Sequence, residues 1–289
     1  MRKPLFIGVC TALVTPFLDD KVNYPLLEQL IKRQIDAGVQ TIVLCGTTGE
    51  SPTLSDSEKL QIFHRAKQYV GDNCKIIAGT GYNSTLRTIE LSKAAQNTGV
   101  DGLLLVSPYY NKGNKAGLIA HFNAVAENVD IPIVLYNVPS RTGCDLSVET
   151  YQSLAATQNI VGVKEASNDI SKITRIRNAC NNEFQIWTGN DDLIVPTIAL
   201  GGIGVISVLS NLFPEETVAM TNAALNNNFH LAATLQAQLS NLIELLFSEV
   251  NPIPVKYAMR YVGYDCGNCR LPLGPLSTSN KEKIDAYFR

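Results

Sequence analysis

Apolar residues fall along this chain in two alternating patterns. Short continuous runs rich in Val, Ile and Leu give way to longer stretches in which apolar positions return every three or four residues, and the alternation persists to about residue 225. The continuous runs have the length and composition of buried strands: Phe6–Cys10, Thr41–Cys45, Lys75–Gly79, Gly102–Val106, Ile133–Tyr136, Ile160–Lys164, Gln185–Thr188 and Gly204–Ser207. The periodic stretches predict amphipathic helices. Tyr24–Ala37 places Leu27, Leu30, Ile31 and Ile35 on one face, and Ser55–Val70 opens with Ser55 and Glu58 at capping-box spacing. Ser84–Asn97, Ala116–Asn128, Ser147–Ala156, Asp169–Ala179 and Asp191–Leu200 continue the series.

Strands alternating with helices predict a parallel sheet. Eight such units in a chain of this length favour an α/β fold of the closed (β/α)8 barrel type over an open doubly wound sheet. No GxGxxG follows the first strand, which further disfavours a dinucleotide-binding fold. Beyond residue 225 the pattern is helical, at Phe229–Phe247 and again at Lys281–Phe288. The expected division is a catalytic barrel over residues 1–225 and a helical region over 226–289 packed on it. Two stretches imitate membrane signals. Met1-Arg2-Lys3 before Leu5–Val14 has the outline of a signal sequence, but it lacks a small-residue cleavage site and Thr15-Pro16-Phe17 follows directly, so a first strand is expected there. Leu193–Leu209 carries no charge, yet Pro196 and Gly201-Gly202 divide it into a helix, a turn and a strand.

Composition narrows the function classes. The 289 residues are 45% hydrophobic and 17% charged, enough for a sizeable core. A net charge of −2 does not suit a nucleic-acid or acidic-membrane partner. Seven cysteines without regular spacing indicate reduced thiols and a cytoplasmic setting, and the lone pair Cys266 and Cys269 reads as thiols without function. His64, His121 and His230 are far apart inside helical patterns and offer no metal-ligand spacing, which argues against a metal-dependent reaction.

In such barrels chemistry gathers at the carboxyl ends of the strands. Lys164 ends the sixth apolar run. A lysine at its ordinary pKa of about 10.4 is protonated and cannot attack a carbonyl; desolvation lowers that pKa and frees the lone pair. Lys164 is therefore either a Schiff-base former or a solvated strand-end lysine. Tyr136 ends the neighbouring run, where a phenol moves protons to and from a carbinolamine, or simply packs the barrel mouth. Gly46-Thr47-Thr48-Gly49 is either an anion cradle of backbone N–H groups and hydroxyls or a tight turn. Arg141 offers a bidentate grip on a carboxylate or a loop salt bridge, and Tyr109-Tyr110 is either part of the strand-end chemistry or a packed aromatic pair. Gly201-Gly202 is either a phosphate site or a helix-terminal turn. Glu165 follows Lys164 and so points to the opposite face of its strand, away from the chemistry.

Taken together, Gly46-Thr47-Thr48-Gly49-Glu50, Tyr136-Asn137-Val138-Pro139-Ser140-Arg141-Thr142-Gly143 and Val163-Lys164-Glu165 resemble the signatures of the pyruvate-dependent class I aldolase superfamily. Ser107-Pro-Tyr-Tyr-Asn111, Asn251-Pro-Ile-Pro-Val-Lys256 and Cys269-Arg-Leu-Pro-Leu-Gly-Pro-Leu276 extend the likeness to its dihydrodipicolinate synthase family. The resemblance implies a cofactor-free condensation of pyruvate with L-aspartate 4-semialdehyde in the diaminopimelate route to lysine. It implies that Lys164 forms the Schiff base, that Tyr136, Thr47 and Tyr110 relay protons, with Tyr110 reaching in from a neighbouring subunit, and that Thr47 and Thr48 hold the pyruvate carboxylate. It implies further that Arg141 meets the aldehyde, that Gly189 and Ile206 line the site through their backbones, and that the chain forms a homo-oligomer, most commonly a tetramer built as a dimer of dimers. N-acetylneuraminate lyases and 2-keto-3-deoxy-sugar-acid aldolases share the lysine and the tyrosine; a barrel that only binds a keto acid is a further alternative, though such a barrel is expected to lack Lys164 or Tyr136. In lysine-inhibited members the effector meets residues equivalent to Ser51, Pro52, Asp56, Lys59, Asn83, Arg87 and Tyr109; bacterial-type members carry histidines where this chain has Asp56 and Lys59, and a glutamate where it has Arg87.

Overall fold

Eight parallel strands, mostly apolar on both faces, close on one another and so leave no strand edge free to meet water. The structure is a computed structural model and describes residues 3–289; Met1 and Arg2, where the signal-like stretch begins, lie outside the described residues. Strand β1 (Gly8–Ala12) is followed by a small antiparallel hairpin, β2 (Phe17–Leu18) and β3 (Lys21–Val22), and then by β4 (Thr41–Leu44), β5 (Lys75–Gly79), β6 (Gly102–Val106), β7 (Ile133–Asn137), β8 (Ile160–Glu165), β9 (Gln185–Thr188) and β10 (Gly204–Ser207). The barrel runs β1-β10-β9-β8-β7-β6-β5-β4 and returns to β1. Its seam between β1 and β10 is tight: a Cβ on Gly204 would lie 2.0 Å from the Gly8 carbonyl oxygen, so no other residue fits there.

Around the barrel lie α1 (Tyr24–Asp36), α2 (Asp56–Val70), α3 (Thr85–Gln96), α4 (Lys115–Ala126), a one-turn α5 (Pro139–Thr142), α6 (Val148–Leu154), α7 (Ile170–Ala179), α8 (Ile194–Ala199) and α9 (Pro214–Leu225). Helices α10 (Phe229–Leu246), α11 (Ile253–Ala258) and α12 (Thr278–Phe288) form the C-terminal helical extension. The capping box read at Ser55 and Glu58 is present in full. One apolar layer fills the sleeve between strands and helices; a second, including Phe6, Val43, Ile77, Leu104, Val134, Trp187 and Ile206, fills the barrel interior. Each such side chain withdrawn from water contributes about 1.5–3 kcal/mol before entropy is counted.

Several boundaries differ from the sequence reading. The first strand begins at Gly8, not Phe6, because Phe6 turns inward to stack on Trp187 at 4.7 Å between ring centroids. Strand β4 stops at Leu44, because Cys45 takes a left-handed conformation at φ 53°. Helix α12 starts at Thr278, capped by Ser277, rather than at Lys281. The hairpin and helices α9 and α11 were not anticipated. The uncharged stretch after Leu193 is helix α8, a turn at Gly201 (φ 93°) and strand β10; no helix among the described residues is long and apolar enough to cross a membrane.

Candidate active site

Strands β7 and β8 bring the central pair together. Tyr136 and Lys164 are direct partners across the two strands, and the alternation of side chains sends both into the barrel mouth. The Lys164 ammonium nitrogen, Nζ, lies 4.3 Å from the centre of the Tyr136 ring, and both residues are buried. Among the described residues Lys164 makes no hydrogen bond and no ion pair; Tyr136 and Trp187, both of the inner apolar layer, are its partners on the two flanking strands. Gly189 lets the lysine pass: a Cβ there would sit 2.7 Å from Lys164 Cε. Fully buried Asp191 lies within electrostatic reach of Lys164. Burial pushes its carboxyl up, while bonds from Ser207 Oγ (2.5 Å) and the Val208 and Leu209 N–H groups (both 3.0 Å) act in the other direction.

The loop after β4 supplies the second element. Cys45 and Glu50 both take left-handed φ, 53° and 57°, and the turn between them carries Thr47 and Thr48. Neither threonine N–H is taken by another group among the described residues, so both remain available to an anion. Thr48 Oγ1 accepts a hydrogen bond of 3.0 Å from Asn251 Nδ2, which leaves the hydroxyl hydrogen free to donate elsewhere. The loop is fixed from the far end of the chain. The wholly buried Glu50 carboxylate receives Lys256 Nζ at 2.8 Å and the Arg270 N–H at 2.8 Å, and Lys256 also donates to the Asn268 carbonyl at 3.0 Å.

The third element is α5, which begins with Pro139 directly after β7 and presents Arg141. Arg141 Nη2 donates to the Asn251 carbonyl at 3.2 Å. Lys164, Tyr136, Thr48, Arg141 and Gly189 line one cavity of about 500 Å³, whose outer wall is Asn190, Asp192, Gln236, Ser240 and Glu244. Thr47 lines an adjoining cavity of about 240 Å³ with Tyr109, and Tyr136 and Arg141 border both. Tyr110 lines neither. It stands 89% exposed at φ 71° on the surface of the chain. Ile206, expected to line the site, is wholly buried in β10 and lines neither cavity. Glu165 points to the outer helices, as expected from its place after Lys164, and Gly201-Gly202 forms the turn that ends α8. Asn251 was missed as a site residue, although the run Asn251-Pro-Ile-Pro-Val-Lys256 had marked its segment. The α10 wall was missed as well, because nothing in an amphipathic helix says which cavity its polar face will border.

A family model described as the dihydrodipicolinate synthetase family matches residues 5–289. The chain is 44% identical to the 4-hydroxy-tetrahydrodipicolinate synthase of Acetivibrio thermocellus over 98% of this chain and 96% of that protein. It is 46% identical to the 4-hydroxy-tetrahydrodipicolinate synthase of Methanosarcina mazei, over 99% and 98% of the two chains. Among solved structures, the chloride-inhibited dihydrodipicolinate synthase of Acinetobacter baumannii, complexed with pyruvate, superposes with a TM-score of 0.95 at 41% identity, covering 97% of each chain.

Proposed function

Since the chain belongs to the dihydrodipicolinate synthetase family, we propose that it condenses pyruvate with L-aspartate 4-semialdehyde to give 4-hydroxy-tetrahydrodipicolinate, with Lys164 as the covalent catalyst. The observation that carries this reading is a buried lysine without an acceptor, set over a tyrosine ring at the mouth of a barrel. The pyruvate carboxylate docks on the free N–H groups of Thr47 and Thr48 and on the Thr48 hydroxyl. The Lys164 lone pair attacks the keto carbon, a C–N bond forms, and the carbonyl electrons move to oxygen, which leaves as water after protonation. Tyr136, with Thr47 and a neighbour's Tyr110, moves these protons and removes one from the methyl carbon to give the enamine. The enamine carbon attacks the aldehyde of the second substrate, whose carboxylate is gripped by Arg141. The adduct's own amine then displaces Lys164 from the former keto carbon, closing the ring and freeing the enzyme. Gly189 borders the site through its backbone. No step requires a metal or organic cofactor.

The exposed, left-handed Tyr110 supports a homo-oligomer in which each subunit completes another's site, and we place the enzyme in the cytoplasm as a tetramer of paired dimers. The decisive assay compares product formation from pyruvate plus aspartate semialdehyde with that from pyruvate plus N-acetylmannosamine. Turnover of the first pair alone is expected. Turnover of the second alone would replace this reading with a sugar-acid lyase. Borohydride with pyruvate should label Lys164; label on Lys256, or none, would remove the mechanism.

A further inference from the structure

Behind Tyr136 and Lys164 lies a second partnered pair, Asn137 and Glu165, one residue further along the same two strands and on the opposite face. The Glu165 carboxylate is buried and fully engaged. Asn137 Nδ2 donates to its Oε1 at 3.0 Å and its Oε2 at 3.2 Å. The Ser167 N–H donates to Oε1 at 2.9 Å, and the Tyr151 hydroxyl to Oε2 at 2.8 Å. Lys172 Nζ stands 3.9 Å away as counter-charge. Burial and the nearby carboxylate push the Tyr151 phenol up, so it keeps its proton and remains a donor. Asn137 is held in turn: its Oδ1 accepts the Leu146 N–H at 3.0 Å, and its Nδ2 also reaches Asp145 Oδ1 at 2.8 Å.

The need for such a clasp lies upstream. The ladder between β7 and β8 is irregular: Ile133 pairs with Ile160 but Val134 with Gly162, so Val161 has no partner. A ladder that carries one extra residue does not by itself fix which residues meet beyond the bulge. A slip of one residue would turn Lys164 outward, away from the cavity. The pair that follows is the one place where side chains from both strands bind each other by direct hydrogen bonds.

We propose that Glu165, acting with Asn137, is a positioning residue that sets the register of β7 against β8 and so holds Lys164 over Tyr136 for the attack on the keto carbon. This rests on the assignment of Lys164 as the Schiff-base former. The carboxylate grip on pyruvate belongs to the loop after β4 and is untouched by the clasp, so substrate binding and chemistry should separate on mutation.

The test measures borohydride trapping of pyruvate on Lys164, kcat, KM for pyruvate and thermal unfolding, in the wild type, in Glu165→Gln and in Tyr151→Phe. Glu165→Gln presents an amide N–H to a site full of donors. Its trapping rate and kcat, per folded molecule, should fall by about ten- to a hundredfold, as expected for a displacement of an ångström or less, with KM changed less than about threefold. Tyr151→Phe keeps the ring and removes one of the donors; kcat should fall about threefold in a folded protein. Trapping and kcat per folded molecule unchanged in Glu165→Gln, with only the melting temperature lowered, would make the clasp merely structural and overturn the proposal. Should Glu165→Gln fail to fold, an unchanged kcat in Tyr151→Phe would do the same. A wild type that carries no label on Lys164 would instead overturn the parent mechanism, and this inference with it.

Discussion

Lys164 at the barrel mouth and Lys256 at the joint with the C-terminal helices are buried alike, at 4% and 3% exposure, yet their surroundings are opposite. Lys256 is saturated: it donates to Glu50 and to the Asn268 carbonyl and lies 4.3 Å from the Phe17 ring centre. Lys172 and Lys59, also buried, follow the same rule, the first against Asp145 and Glu165, the second against the Tyr82 hydroxyl at 2.7 Å. Lys164 alone of the four has a ring face and no acceptor. Burial of a charge without a partner is costly, so proteins retain it where the unmet demand is used. The difference separates a lysine that holds structure from one that is open to form a bond.

The strongest way to break this comparison is to remove each lysine in turn. Lys164→Ala should lower turnover at least about a thousandfold, the scale for deleting a nucleophile. Its melting temperature should fall by less than about 3 °C, since no ion pair is lost. Lys256→Met should do the reverse. It leaves the Glu50 carboxylate buried without its counter-charge, a loss of about 3–5 kcal/mol by urea denaturation, while the folded fraction still traps pyruvate on Lys164. Adding Glu50→Gln to Lys256→Met should recover part of that loss. Equal destabilisation by the two single variants would erase the distinction.

Smaller effects sharpen it. Tyr110→Phe removes one hydroxyl and no packing; turnover should fall about tenfold with stability within about 0.5 kcal/mol, and an undiminished rate would show that Tyr110 takes no part in proton transfer. The smallest effect concerns Lys59. It lines a wall already paired within itself: Asp56 meets Arg87 at 3.5 Å, and Arg87 lies over the Tyr82 ring at 4.4 Å. An amine brought to about 4 Å from one of these cations would meet up to roughly 4 kcal/mol of repulsion before screening. Activity is therefore expected to be insensitive to L-lysine; half-inhibition well below about 1 mM, the affinity of a net attraction near 4 kcal/mol, would refute the charge argument.

The barrel was legible because each strand is a continuous apolar run, a pattern that depends on nothing but its own residues. The elements that escaped lack such a pattern. Helix α9 buries Thr217, Thr221, Ala223 and Ala224 among larger residues, so no apolar stripe stands out, and α11 is six residues long, too short for a period to show. The places of Lys164, Tyr136, Thr47, Thr48 and Arg141 at or just after strand ends were legible from the apolar runs they follow. Asn251 and the Glu165 clasp were not, because their roles exist only once residues about a hundred or more apart, or on facing strands, have met.

The anchoring of Glu50 from residues 256 and 270 also sets an order of events during synthesis. Glu50 leaves the ribosome more than two hundred residues before its two partners. Through that interval the strands on either side can pair, but the Glu50 carboxylate has neither of these two partners to meet. The nascent barrel is thus an unfastened scaffold, and the loop after β4 is locked only once the last segments of the chain have been made.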